Sequence, residues 1–92
     1  MKWIEFIKVQ TSIDQDQLFE QDLKNLVKSI PRKNGLDKVI VVRHGSIVDD
    51  YALFLFWKTR DVDQAGSGIG LNVAQILKKY GLVNHSVWLD NN

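Results

Sequence analysis

Tyr51-Ala52-Leu53-Phe54-Leu55-Phe56-Trp57 is apolar at every position, and its reading decides the fold. A strand with one wet face alternates apolar and polar residues, so a strand with no polar position is buried on both sides. Before this run, Trp3–Thr11 alternates and is rich in Ile, Val and aromatics, and Leu36–Arg43 is β-branched; both read as strands. After it, His85–Leu89 reads as a short fourth strand.

Two helices separate these strands. Ser12-Ile13-Asp14-Gln15 offers a capping box, followed by Leu18/Phe19, Leu23, Leu26/Val27 and Ile30 at helical spacing, with Pro31 and Gly35 as terminators. The polar loop Arg60–Gly68 leads to Ser67, a cap for a second helix. That helix carries Ile69, Val73, Ile76/Leu77 and Tyr80 on one stripe and is closed by Gly81. The order is β-α-β-β-α-β, an α+β ferredoxin-like domain spanning 1–92, with an antiparallel sheet carrying both helices on one face. Two helices cover one face only, so a second copy of the chain is expected to cover the other.

Side-chain parity predicts which residues lie on the uncovered face. On the first strand the odd set, Trp3, Ile7 and Val9, includes Glu5, and a carboxylate beneath the helices is costly. The odd set is therefore expected to point away from them, with Ile4 and Phe6 in the core. By the same reasoning Phe54 and Phe56 lie under the helices and Leu53, Leu55 and Trp57 on the open face. On the last strand Val87 and Leu89 suit the core, leaving Ser86 and Trp88 outside. All three tryptophans then share one exposed patch, too large for a lone monomer.

Composition narrows the function. Across 92 residues, 12 basic and 11 acidic side chains leave a formal charge of +1, so nothing draws the chain toward nucleic acid or an anionic membrane. Cysteine is absent, which removes disulfides, thiolate catalysis and cysteine-based zinc sites. With Lys2, Glu5 and Lys8 in a strand-like first segment, neither a signal peptide nor a spanning helix is expected, and the cytoplasm is the default location.

The motifs with the sharpest alternative readings are incomplete. Gly66-Ser67-Gly68-Ile69-Gly70 has Leu71 where a dinucleotide fingerprint needs glycine and lacks the lysine of a phosphate loop. Its helix start can still hold an anion, with Lys58 or Arg60 nearby. Asp61-Val62-Asp63-Gln64-Ala65-Gly66 begins like a calcium loop, but Ala65 and Asn72 replace ligands, so a solvated turn is expected. His44 and His85 have no metal-site spacing and read as surface or hydrogen-bonded residues. No serine sits in a G-x-S-x-G elbow. RNA binding is a distant reading: the RNA-recognition motif shares the element order, but Asp49, Asp50 and Leu53 replace its basic, glycine and stacking positions.

With its element order, its doubly buried strand and the closing stretch Lys78-Lys79-Tyr80-Gly81-Leu82-Val83-Asn84-His85-Ser86-Val87-Trp88, the chain resembles the dimeric α+β barrel superfamily. That superfamily includes antibiotic-biosynthesis monooxygenases and stress-responsive barrel domains. The resemblance implies a homodimer whose paired sheets form a barrel, with an apolar ligand held in it or beside it. Some members of that superfamily oxidise polycyclic phenols or haem without a conventional cofactor, and others have no established activity, so the resemblance implies either case.

Two functional classes stay open. In one, the barrel binds or oxidises a small aromatic molecule, with Glu5 and Trp57 as catalytic residues and Trp3, Leu53, Leu55 and Trp88 as ligand-binding residues. Glu5, buried in the barrel, is expected to have a raised pKa and to accept a proton. The ligand is expected at the barrel face rather than at the Gly66–Gly70 loop. In the other class, the aromatic face is dimer interface alone, in a structural or regulatory module. Neither reading calls for a metal, a cofactor, nucleic acid or a membrane.

Overall fold

A computed structural model describes residues 2–11, 16–32, 35–47 and 49–90. Its elements are β1 (Trp3–Thr11), α1 (Asp16–Ser29), β2 (Leu36–Arg43), β3 (Asp50–Trp57), α2 (Gly68–Leu77) and β4 (Gly81–Leu89). The strands form one antiparallel sheet in the order β2-β3-β1-β4. This is the expected ferredoxin-like arrangement, with the last strand starting earlier, at Gly81. The capping box proposed for Ser12–Gln15 lies outside the described residues.

The apolar run forms β3, a central strand, and pairs with β1 in the register Trp3↔Trp57, Glu5↔Leu55, Ile7↔Leu53 and Val9↔Tyr51. All eight of these residues are buried. They pack with Phe19 and Leu23 of α1 and Val73, Ala74 and Leu77 of α2 in one core. The helices therefore cover the odd face of β1 and β3.

The expected faces of β1 and β3 are thus reversed. Trp3, Leu53, Leu55 and Trp57 lie under the helices, and Glu5, at 0% exposure, lies among them. Ile4, Phe6, Phe54 and Phe56 are half-buried on the open face. Trp88, pairing with Ile4, stands on that open face as expected, whereas Leu89 is exposed at the end of its strand instead of lying in the core. Only one tryptophan belongs to the open patch. The reversal has a single cause: the cost assigned to burying Glu5 is cancelled by the donors around it.

The open face remains strongly apolar after this exchange. The Phe6 and Phe54 rings meet edge to face at 5.0 Å, Phe56 follows at 6.4 Å from Phe54, and Trp88, Ile40 and Val42 are exposed beside them. Among the described residues no helix is long and apolar enough to cross a membrane.

Candidate functional site

The site begins with Ser67, the N-cap of α2, whose backbone is extended (φ −70°, ψ 162°) and whose Oγ accepts from the Gly70 amide at 2.9 Å. Capping leaves the Ser67 hydroxyl proton and the Ser67 amide directed outward from the helix start. Both are donated to Glu5: the hydroxyl to Oε1, and the amide to Oε2 at 3.1 Å. Oε1 also accepts from the Trp57 indole Nε1 at 2.8 Å, and Oε2 pairs with His85 Nε2 at 2.7 Å.

Each carboxylate oxygen thus has two partners, drawn from β3, β4 and the start of α2. Charge-assisted hydrogen bonds of this kind, together with the positive end of a helix, offset the loss of water around a buried carboxylate. The anion that the Gly66–Gly70 helix start can hold is the protein's own Glu5.

The glycines make this approach possible. A Cβ on Gly70 would sit 1.9 Å from Glu5 Oε2, and one on Gly66 would sit 2.3 Å from His85 Cε1. Gly66 also has φ +104°, a conformation that side chains disfavour. The sequence pattern signalled a loop and a helix start; it carried no sign that the missing side chains make room for a carboxylate on another strand.

Beside this network lies a cleft of about 460 Å³ between the β1–β3 end of the sheet and the start of α2. Trp3 and Trp57 form its aromatic wall, stacked at 5.3 Å with 12° between their planes. Ser67, Gly68 and Ile69 form the other side, and Arg60, Asp61 and Asp63 bring charge to its rim. Both indoles are pinned. Trp57 donates to Glu5, while Trp3 Nε1 donates to Thr59 Oγ1 at 2.7 Å, and Thr59 in turn donates to the Asp61 carbonyl at 3.1 Å.

The structure therefore brings Glu5, Trp57 and Trp3 together, but on the helix-covered side. Leu53 and Leu55 are enclosed at 0% exposure in the core, and Trp88 is on the opposite face. The barrel-face site expected around Trp57 and the glycine loop are one location, because Trp57 and Ser67 line the same cleft. Glu5 does not present an oxygen to that cleft; both of its oxygens are occupied, which suits positioning rather than proton abstraction.

His85, expected to be a surface or hydrogen-bonded residue, is hydrogen-bonded with its side chain 14% exposed. Its position in the sequence, three residues before Trp88, gave no hint of its partner, 80 residues away. Ser67 was legible as a cap but not as a ligand of Glu5. Among the described residues no group of three or more His, Asp or Glu side chains could hold a metal ion.

Comparison with known proteins gives structural relatives only. No family model matches the chain, and no curated protein matches it in sequence. SnoaB, a cofactor-independent oxygenase from Streptomyces nogalater, superposes with a TM-score of 0.75 at 15% identity, over 99% of this chain and 94% of that one. The Mycobacterium tuberculosis protein Rv0793 gives 0.74 at 12% identity, over 100% of this chain and 97% of its own. A putative antibiotic biosynthesis monooxygenase from Nitrosomonas europaea gives 0.74 at 11% identity, over 98% and 90%. At 11–15% identity the likeness shows the fold alone, the antiparallel β-α-β-β-α-β arrangement described above.

Proposed function

We propose that the Trp3–Trp57 cleft binds a small, flat aromatic molecule and that the protein oxidises it without a cofactor. The observation that carries this reading is the stacked, hydrogen-bonded tryptophan pair walling a cleft of 460 Å³. Aromatic walls held in one orientation bury a planar ligand at little conformational cost, and a few polar groups at the rim orient it. The fold of a cofactor-independent oxygenase supports the oxidation by analogy alone.

The residues divide by what they touch. Trp3, Trp57 and Ile69 contact the ligand's faces, and the Arg60 guanidinium offers a cation to an oxygen that becomes negative when a phenol loses its proton. Glu5 acts one step removed: it fixes the Trp57 ring and the start of α2, so it is a positioning residue in this reading.

The same proposal includes a homodimer, formed through the open face bearing Phe6, Phe54, Phe56 and Trp88. Partly exposed aromatics on a sheet face with no helices favour it. That face also supports the second reading, a dimerisation module without activity. Titration of the full chain with quinols and polyphenols, followed by indole quenching and oxygen consumption, separates the two. Quenching with oxygen uptake is expected, and Trp57→Phe, which keeps an aromatic wall but loses the bond to Glu5, should reduce both. Binding of nucleotides while every aromatic compound fails would overturn the proposal, and no ligand at all would leave the dimerisation module.

A further inference from the structure

The two indoles that wall the cleft are almost entirely covered: Trp3 is 2% exposed and Trp57 5%. Stacked on each other, they have one outer ring face apiece to offer, and those faces are shielded as well. A planar ligand reaches them only when part of the cover moves. The sheet, the start of α2 and the segment Thr59–Gly66 border the cleft. The sheet is fixed by its ladders, and α2 by the buried Val73, Ala74 and Leu77 and by the bonds from Ser67 to Glu5.

The segment is held differently. Its ends are fixed, because the Lys58 amide donates to the Gly35 carbonyl at 2.8 Å before it and the Ser67 amide to Glu5 after it. Between them Arg60, Asp61, Asp63, Gln64 and Ala65 are exposed, and Val62 is half-buried against the core. The Thr59 hydroxyl accepts from Trp3 Nε1 at 2.7 Å and donates to the Asp61 carbonyl at 3.1 Å, so it ties the segment to the cleft wall. The Gly66 amide donates to the Asp63 carbonyl at 2.9 Å, a turn that stays within the segment. An exposed polar stretch with so few inward contacts opens at a much lower free energy than a central strand.

We infer that Arg60–Ala65 is a lid over the tryptophan pair, with the Thr59 hydroxyl as its latch and Val62 as its seal. Arg60, Asp61 and Asp63 ride on the lid, so the charges at the rim are set around a ligand only when it closes. The inference rests on the cleft being the binding site proposed above, since it answers how a ligand reaches covered rings. Its test uses no ligand, so the lid can fail while aromatic compounds bind, and binding can fail while the lid opens.

Quenching of indole fluorescence by acrylamide reads the cover directly, and a neutral quencher is indifferent to Asp61 and Asp63. Trp88, at 61% exposure, would mask the pair, so every protein tested is the full chain carrying Trp88→Phe. In that background quenching should be slow. Thr59→Val keeps the methyl group lying against Gly35 but loses the hydroxyl, and Val62→Ser loosens the seal. Each should raise the quenching rate constant about twofold or more, because loss of one such contact multiplies the open population roughly fivefold. Thr59→Ser, which retains the hydroxyl, should quench as the background does, and amide exchange at Leu53 and Leu55 should stay unchanged throughout. Val62→Ser serves if Thr59→Val does not fold. Rapid quenching in the Trp88→Phe background, an unchanged rate in Val62→Ser, or exchange at Leu53 and Leu55 that accelerates in step with quenching would overturn the inference.

Discussion

Replacing Glu5 with glutamine changes one atom and the charge, and the network predicts its cost. The carboxylate accepts from four groups: Trp57 Nε1, the Ser67 hydroxyl, the Ser67 amide and His85 Nε2. A glutamine amide has one acceptor oxygen and one NH₂ group. With its oxygen toward Trp57 and the hydroxyl, the NH₂ faces His85, which can change tautomer and accept, and the Ser67 amide, which cannot. With the oxygen on the other side, the NH₂ faces the Ser67 hydroxyl, which can turn, and the Trp57 N–H, which cannot. Either orientation strands one buried donor.

A stranded donor costs about 1–3 kcal/mol, and the surviving bonds lose their charge assistance, each weakening by about half. Relief from burying a charge offsets part of this. The net expectation for Glu5→Gln is a loss of about 2–4 kcal/mol, against a total of roughly 5–14 kcal/mol for a chain of this length. In thermal unfolding followed by circular dichroism, that is a drop in Tm of about 10–30 °C. Glu5→Leu strands all four groups and should cost more. A Glu5→Gln Tm within about 3 °C of the parent, or a leucine variant more stable than the glutamine one, would refute the network as described.

Gly70→Ala places a methyl group on Glu5 Oε2 and should expel the carboxylate. A loss of at least about 2 kcal/mol in urea unfolding is expected, and a neutral result would show that the helix start yields easily. Phe54→Asp puts a charge on the open face without entering the core. It should yield a folded monomer by light scattering, whereas Leu55→Asp, fully enclosed, should prevent folding. Tyr80 donates to Asp22 Oδ2 at 2.6 Å, and this hydrogen bond, with smaller contributions from burial and the Asp22 charge, raises its pKa above 10.0. Because the folded pKa is the higher one, the contribution of this contact is complete below the unfolded value and is lost as pH rises through the folded value. Ultraviolet titration should show tyrosinate from Tyr80 appearing late, and Asp22→Asn should bring it earlier.

The elements of this protein are determined locally. The uninterrupted run in β3, the alternation in β1, the helical stripe through Val73 and Leu77 and the cap at Ser67 each depend on neighbours a few residues away. Their order then leaves few ways to pack, which is why the fold was legible. Which face of β1 and β3 meets the helices was not. Trp3, Ile7 and Val9 on one side and Ile4 and Phe6 on the other are similarly apolar, so Glu5 alone tipped the sequence reading, and it tipped it the wrong way. The cost of burying that carboxylate depends on Trp57, Ser67 and His85, which lie 52, 62 and 80 residues along the chain. The site follows the same rule. Tryptophans and a glycine-rich helix start are visible in one dimension, but their meeting around one carboxylate exists only after the sheet has paired and α2 has docked, because hydrogen bonds at 3 Å are satisfied by position in space.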